Sequence, residues 1–227
     1  MRTVTVVGHR GDPYRVRENT LPSIASALER GADAVEIDVR PTRDGVPVLL
    51  HDKTLKRLWN HDRPLAALPY EEVREVSGGR IPTLREALMF VGARRVMIDL
   101  PGATEESVRT VVGTVRECGA GERVYYCAGP LTMLRVRAAD PGAEIALSWT
   151  SPAAPRPALI ADVRPRWLNY RFGLASSEVV ESVHRNGMLV SAWTADTRHS
   201  MRRLIERGVD SITTNRVDAL CGILAGR

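Results

Sequence analysis

With 227 residues, 44% of them hydrophobic and 26% charged, the chain is long enough to bury the core of one large α/β domain, and no apolar run is long enough to cross a bilayer. Its net charge of +5 comes almost entirely from arginines spread among acidic residues, without the aromatic and basic module of a nucleic-acid-binding protein, so nucleic acid is excluded as an expected partner. The three cysteines are scattered, which argues against a disulfide framework or a zinc site, and the N-terminus lacks a signal-peptide pattern, so we expect a cytoplasmic protein.

Short β-rich runs alternate with longer amphipathic stretches along the whole chain, which predicts a parallel sheet covered by helices. We take residues 1–227 as a single domain, and eight strands in one domain are most economically closed into a (β/α)8 TIM barrel of the α/β class. The predicted strands are Val4–Gly8, Ala34–Val39, Arg95–Leu100, Val124–Cys127, Glu144–Trp149, Trp167–Tyr170, Met188–Trp193 and Asp210–Thr213. The predicted helices are Leu21–Arg30, Thr83–Val91, Glu105–Cys118, Leu131–Ala139, Ser177–Asn186, Arg198–Arg207 and Val217–Leu224.

Two irregularities are expected in this alternation. The segment Ser151–Pro165 carries four prolines, among them Pro152, so its helix should be short or degenerate. After the second strand, a turn and an extra short strand at Val46–Leu50 lead to His51 and to an insertion with a helix at Tyr70–Val76. An excursion of this kind over the barrel mouth is a natural place for substrate contacts.

Unusual polar side chains stand where the predicted barrel strands end. His9 and Arg10 follow the first strand, Glu36 and Asp38 end the second, and Asp99 ends the third. The carboxyl ends of the strands of a β/α barrel open on one face, which carries the active site, so we expect these residues to converge. Glu36 and Asp38 are two apart on one strand and point the same way, and buried carboxylates need a positive partner.

The residue types at this face predict a particular chemistry. Three converging carboxylates suit a hard divalent cation, Mg²⁺ or Ca²⁺. Two imidazoles, His9 and His51, suit general acid–base catalysis, and Arg10 offers a planar fork that matches phosphate oxygens. Together they predict cleavage of a phosphodiester, with a structural network of arginine-paired carboxylates as the alternative interpretation.

Several short motifs carry a resemblance to a known family. They are His9-Arg10-Gly11, Glu18-Asn19-Thr20, Glu36-Ile37-Asp38-Val39, Thr42-Arg43-Asp44-Gly45, His51-Asp52 with Thr54-Leu55, Ile81-Pro82-Thr83-Leu84 with Glu86-Ala87-Leu88, Trp193-Thr194, Gly208-Val209-Asp210 and Thr213-Thr214-Asn215. In their order and approximate spacing they resemble the glycerophosphodiester phosphodiesterase family, densely through residue 100 and more weakly near the C-terminus.

The resemblance implies a barrel enzyme that uses one divalent cation to hydrolyse glycerophosphodiesters, which are small molecules, to glycerol 3-phosphate and an alcohol. Matched by position, His9 and His51 correspond to the acid–base pair of the family. Arg10, Glu18 and Trp193 correspond to contacts with the phosphate or the substrate, and Glu36, Asp38 and Asp99 correspond to metal ligands.

The chain also departs from the family pattern. Pro101 stands where the family commonly has a lysine near the phosphate, Asn215 replaces an aspartate, Val217 replaces a proline, and Asp99 replaces a glutamate. Two alternatives remain open: a phospholipase-like enzyme in which a neighbouring hydroxyl attacks phosphorus and releases a cyclic phosphate, and a relative that only binds a phosphorylated ligand. The other histidines are expected to be solvated at the surface: His61, His184 and His199.

Overall fold

The structure is a computed structural model that describes residues 4–151 and 153–226. Its strands are β1 (Thr5–His9), β2 (Ala34–Pro41), β3 (Pro47–Leu49), β4 (Thr54–Leu55), β5 (His61–Pro64), β6 (Arg95–Asp99), β7 (Val124–Ala128), β8 (Glu144–Trp149), β9 (Trp167–Arg171), β10 (Leu189–Trp193) and β11 (Ser211–Thr214). Its helices are α1 (Leu21–Glu29), α2 (Lys56–Trp59), α3 (Tyr70–Ser77), α4 (Leu84–Val91), α5 (Glu105–Glu117), α6 (Pro130–Ala139), α7 (Pro157–Val163), α8 (Ser177–Arg185), α9 (Arg198–Glu206) and α10 (Val217–Ala225).

Parallel strands close into a barrel. The strands pair in the order β1, β2, β6, β7, β8, β9, β10 and β11, and β11 returns to pair with β1. Helices follow the strands and pack on the outside, so the predicted (β/α)8 TIM barrel is confirmed. The eight predicted barrel strands agree with the observed ones to within two residues at either end.

The helix boundaries have local causes in the sequence. The hydroxyl of Thr83 accepts a hydrogen bond from the backbone N–H of Glu86, and the Glu86 carboxylate accepts one from the backbone N–H of Thr83. The two bonds form a capping box at the start of α4. The predicted shortness of the fifth helix is confirmed, since α7 begins at Pro157 and stops where Arg164 takes a left-handed conformation. Pro152, in the same segment, lies outside the described residues.

The buried apolar side chains of the described residues form three packed groups. The largest lies between the barrel strands and the helices, and a smaller one around Met97, Tyr125 and Trp167 fills the barrel interior. The insertion after β2 has its own core, which includes Leu55 and Leu65. The predicted extra strand and helix of this insertion are present as β3, antiparallel to β2, and α3. The insertion therefore has a packed interior of its own.

The expectation that the three remaining histidines are solvated is correct only for His199, which is exposed. His184 lies 2.7 Å from the Asp210 carboxylate through Nε2, because that side of α8 faces the sheet. The Nε2 atom of His61 is buried within the insertion.

Among the described residues, no helix has the length and apolar character needed to span a membrane.

Candidate active site

A cavity of about 130 Å³ opens at the carboxyl ends of the barrel strands. A larger groove of about 600 Å³ lies outside the barrel between α7 and α8 and is lined by none of the predicted site residues. Glu18 does not line the cavity itself but accepts a hydrogen bond from Arg10 Nη1 at 2.9 Å. The other predicted site residues all line the cavity: His9, Arg10, Glu36, Asp38, His51, Asp99 and Trp193.

Strand register brings the three carboxylates together. Asp38 on β2 lies opposite Asp99 on β6, and Glu36 lies opposite His9 on β1. The three acidic side chains each offer a carboxylate oxygen, and these oxygens lie within 4.8 Å of one another. Glu36 is 4% exposed and Asp38 is 1% exposed. The oxygen ligands and their spacing form an acidic triad that can bind a hard divalent cation.

The electrostatics of this triad also suit a cation. Burial, followed by the charges of Asp38 and Asp99, raises the pKa of Glu36 well above its usual range. Burial and Asp38 likewise raise the pKa of Asp99 to about 7. Arg10 offsets part of this charge, with Nε at 3.1 Å from Asp38 Oδ2 and its backbone N–H donating to Glu36. The raised pKa values reflect this burial and the repulsion between the carboxylates, which Arg10 offsets only in part.

The loop after β1 directs Arg10 at the triad. Arg10 and Asn19 both have a left-handed φ of 55°, and Gly11 between them has a φ of +87°. A Cβ on Gly11 would lie 2.5 Å from the backbone of Ser23, so only glycine fits this close approach. The Asn19 side chain donates to Asp38 Oδ2 at 2.8 Å and accepts from the backbone N–H of Asp38 at 3.1 Å. These bonds fix the loop to β2.

His9 has different surroundings at its two ring nitrogens. Nδ1 is 2.8 Å from the amide oxygen of Asn215, and Nε2 is 4.0 Å from Glu36 Oε2. Burial and the neighbouring Arg10 lower the pKa of His9, which favours the neutral ring. Because an amide oxygen only accepts hydrogen bonds, the neutral ring carries its hydrogen on Nδ1 and its lone pair on Nε2.

His51 is supported by charged residues of the insertion. Its Nδ1 is 2.7 Å from Asp52 Oδ1, and the other oxygen of Asp52 accepts from Arg57 Nε at 2.6 Å. The same guanidinium donates to both carboxylate oxygens of Glu18, which ties the insertion to the loop after β1. Hydrogen bonds from Arg57 and His51 lower the pKa of Asp52 to about 2. Asp52 is therefore an anion, and its contact with Nδ1 orients the His51 ring.

Some residues at the site were not found from the sequence, among them Thr213 and Arg57. Thr213 lines the cavity, as does the predicted Trp193, and Thr213 Oγ1 and Trp193 Nε1 are both buried atoms without a hydrogen-bond partner in the described part of the chain. Thr213 and Ser211 are two positions apart on β11, so their side chains lie on the same face of the strand. Two polar residues on one face of a barrel strand were the signal that could have indicated a site residue here. Nothing in the sequence distinguishes Arg57 from the many other arginines.

Comparison with known proteins identifies the family of the chain. The sequence profile described as the glycerophosphoryl diester phosphodiesterase family matches residues 9–219. A glycerophosphodiester phosphodiesterase of Caldanaerobacter subterraneus subsp. tengcongensis is 28% identical over 99% of this chain and 98% of its own length. The Mycobacterium tuberculosis protein named "Probable glycerophosphodiester phosphodiesterase 2" is 30% identical over 97% of this chain and 90% of its own length.

Among solved structures, an Oleispira antarctica phosphodiesterase in complex with the product sn-glycerol-3-phosphate has the same fold. It superposes with a TM-score of 0.90 at 21% identity, and the match covers 97% of this chain and 96% of that one. The profile match spans nearly the whole barrel, and the two full-length relatives agree with it. The chain therefore belongs to the glycerophosphoryl diester phosphodiesterase family and is a phosphoric diester hydrolase.

Proposed function

We propose that this chain hydrolyses glycerophosphodiesters to glycerol 3-phosphate and an alcohol, as one domain that carries the whole site. The observation that carries the proposal is the convergence of two imidazoles, a guanidinium and three carboxylates on one cavity at the barrel mouth. The names of the relatives and the sn-glycerol-3-phosphate bound to the Oleispira antarctica phosphodiesterase support this substrate class.

Glu36, Asp38 and Asp99 would hold one divalent cation, Mg²⁺ or Ca²⁺. The fit rests on the buried, closely spaced oxygens and on the pKa values of Glu36 and Asp99, which burial and then the neighbouring carboxylates raise. When bound, the cation stabilises negative charge on the phosphoryl oxygens. Mg²⁺ demands a more regular ligand arrangement than Ca²⁺, so the two ions are to be compared directly.

Arg10 is the protein group that contacts the phosphate in this proposal. Its Nε faces Asp38 and its Nη1 donates to Glu18, which leaves Nη2 for a phosphate oxygen. Glu18 thus acts on the substrate through Arg10. Trp193 would contact the glycerol or the alcohol group, and its buried Nε1–H is a donor for a substrate oxygen.

The two histidines divide the proton transfers. His9 has an amide oxygen at Nδ1, so the lone pair on Nε2 can take a proton from the attacking water. His51 is supported by the Asp52 anion and gives a proton to the departing alcohol oxygen. The water oxygen forms a new bond to phosphorus, the bond from phosphorus to the alcohol oxygen breaks, and each proton has a defined acceptor.

The test is the release of glycerol 3-phosphate from a panel of glycerophosphodiesters with Mg²⁺, with Ca²⁺ and with a chelator. We expect release that depends on the metal, and a loss of about 10²–10⁴-fold in kcat in His51→Ala. The matched control is His199→Ala, which changes an exposed histidine on α9 and should retain the wild-type rate. Equal rates for wild type and His51→Ala would contradict the acid–base assignment.

Phosphorus NMR of the same reactions separates hydrolysis by water from the phospholipase-like alternative. A five-membered cyclic phosphate gives a resonance well apart from that of glycerol 3-phosphate. We expect glycerol 3-phosphate as the first product. Early accumulation of the cyclic ester would instead identify a substrate hydroxyl as the nucleophile.

We also propose that the chain works in the cytoplasm. Its three cysteines are free, which suits a reducing compartment: Cys118, Cys127 and Cys221. Fractionation of the source cells, followed by detection with an antibody, tests this location. Recovery of the protein outside the cytoplasmic fraction would contradict it.

A further inference from the structure

Asp196, in the loop after β10, accepts hydrogen bonds from several neighbouring residues. The backbone N–H of Asn215 donates to its Oδ1 at 2.8 Å, and the side-chain Nδ2 of Asn215 donates to its Oδ2 at 2.7 Å. Thr214 Oγ1 and Tyr14 Oη each add a hydrogen bond, at 3.2 Å and 3.1 Å. Asp196 does not line the cavity, so it influences the site through Asn215.

The carboxylate of Asp196 determines how the amide of Asn215 is oriented. An asparagine amide can take two orientations that exchange its oxygen and nitrogen, and the hydrogen-bond partners decide between them. A carboxylate only accepts, so the Nδ2 of Asn215 must face Asp196. The opposite orientation would place two acceptor oxygens at 2.7 Å. The amide oxygen therefore faces His9 Nδ1, at 2.8 Å.

The orientation of the amide in turn determines the tautomer of His9. The amide oxygen of Asn215 accepts and does not donate, so Nδ1 must carry a hydrogen. A neutral imidazole has one N–H, which leaves the lone pair on Nε2 at the end of the ring nearer Glu36. The backbone N–H of Ala195 also donates to Thr213 O at 3.1 Å, which holds the two loops in register.

We propose that Asp196 is a positioning residue that sets the tautomer of His9 through the amide of Asn215. Its catalytic consequence rests on the proposed function, because a base that takes a proton at Nε2 must hold its lone pair there. The tautomer itself depends only on hydrogen bonds within the protein. The competing explanation is that Asp196 merely joins the two loops, in which case its loss lowers stability and leaves the tautomer unchanged.

The tautomer can be read from long-range ¹H–¹⁵N NMR spectra of ¹⁵N-histidine-labelled, metal-free protein at a pH where the imidazoles are neutral. His9 is assigned by the signal that disappears in His9→Gln. We expect wild type to show only the Nδ1–H form. Asp196→Asn should show a mixture with the Nε2–H form, because the amide of Asn215 can then turn over. Its kcat should fall about tenfold or more, with KM within about twofold.

An exchange of the two side chains tests the direction of the relay. Asn215→Asp alone places two carboxylates at hydrogen-bond distance and should lower kcat. The double variant Asp196→Asn/Asn215→Asp restores one carboxylate and one amide, with the carboxylate now accepting from His9. It should recover the single Nδ1–H form and most of the lost kcat. The control Tyr14→Phe removes a different bond to Asp196 and should leave the tautomer unchanged.

A single Nδ1–H form with wild-type kcat in Asp196→Asn would overturn the proposal. The proposal would also be overturned if the kcat of the exchange variant were no higher than that of the less active single variant. Should Asp196→Asn fail to fold, Asp196→Ala is read in the same spectra: mixed tautomers support the relay, and a single Nδ1–H form refutes it. Because the spectra need neither metal nor substrate, a lack of turnover on glycerophosphodiesters would contradict the proposed function and leave this test intact.

Discussion

Replacing Asp99 by asparagine distinguishes a metal ligand from a structural carboxylate. Without a cation, the Asp99 carboxylate lies beside Asp38 and Glu36, and burial together with Asp38 raises its pKa from an ordinary 3.8 to about 7. Asp99→Asn removes the charge while keeping the shape of the side chain and an oxygen that can accept from the backbone N–H of Leu100. We therefore predict that metal-free Asp99→Asn is more stable than metal-free wild type.

The size of the effect follows from the pKa of Asp99. One pH unit corresponds to about 1.4 kcal/mol, so a rise from 3.8 to about 7 costs the metal-free fold at most about 4 kcal/mol. Because the pKa is raised in the folded state, the cost is absent below the unfolded value and complete once the pH exceeds the folded value. Asp99→Asn should thus gain up to about 4 kcal/mol at about pH 8 and about 2 kcal/mol at about pH 5. The larger gain corresponds to a rise in Tm of at most about 8–16 °C for a domain of this size.

The assay is thermal unfolding in a chelator at both pH values, repeated with added Mg²⁺ or Ca²⁺. A cation at about 100 times its Kd should stabilise wild type by about 2.7 kcal/mol and stabilise Asp99→Asn much less. Asp162→Asn, which changes an exposed aspartate on α7, serves as the control and should leave both Tm values near those of wild type. The reasoning would be refuted if Asp99→Asn were less stable than wild type in chelator at both pH values, or were stabilised equally by the cation.

Further variants test the loop, the insertion and the substrate contacts. Gly11→Ala should lower the free energy of unfolding by more than about 2 kcal/mol, because the new Cβ would clash with the Ser23 backbone. Gly45→Ala, also at positive φ but in open space, should lower it by only about 1 kcal/mol, and urea unfolding measures both. Arg57→Ala should lower kcat/KM about tenfold by releasing the insertion, with less than about 1 kcal/mol change in stability; a loss seen only in stability would contradict this role. Thr213→Val should raise KM about three- to tenfold if its buried hydroxyl binds a substrate oxygen, and an unchanged KM would exclude that contact.

The barrel was predictable because its signals are local and repeat along the chain. Alternating β-rich and amphipathic segments predicted every barrel strand, and the spacing of Glu36 and Asp38 predicted that both side chains point inward. The barrel rule that strand ends share one face then predicted that residues far apart in sequence, such as His9 and Asp99, line one cavity. These inferences needed only periodicity and topology.

The contacts that orient the site residues were less predictable, because they join segments distant in sequence and depend on side-chain geometry. Asn215 was noted only as a departure from the family pattern, and its hydrogen bond with His9 depends on how β11 aligns with β1. Asp196 carries no signal of its own, since an aspartate in a loop is common. His184 was expected at the surface because nothing local indicates that the side chain meets Asp210 on a neighbouring element.

The most direct test of the central claim is hydrolysis of a glycerophosphodiester in ¹⁸O-enriched water by protein that has been treated with a chelator and then given back Mg²⁺ or Ca²⁺. We predict that glycerol 3-phosphate forms only after the metal is returned and carries one ¹⁸O on phosphorus. The rate of its formation should fall about 10²–10⁴-fold in His9→Gln. Release at the same rate in the chelator, or an unchanged rate in His9→Gln, would contradict the account.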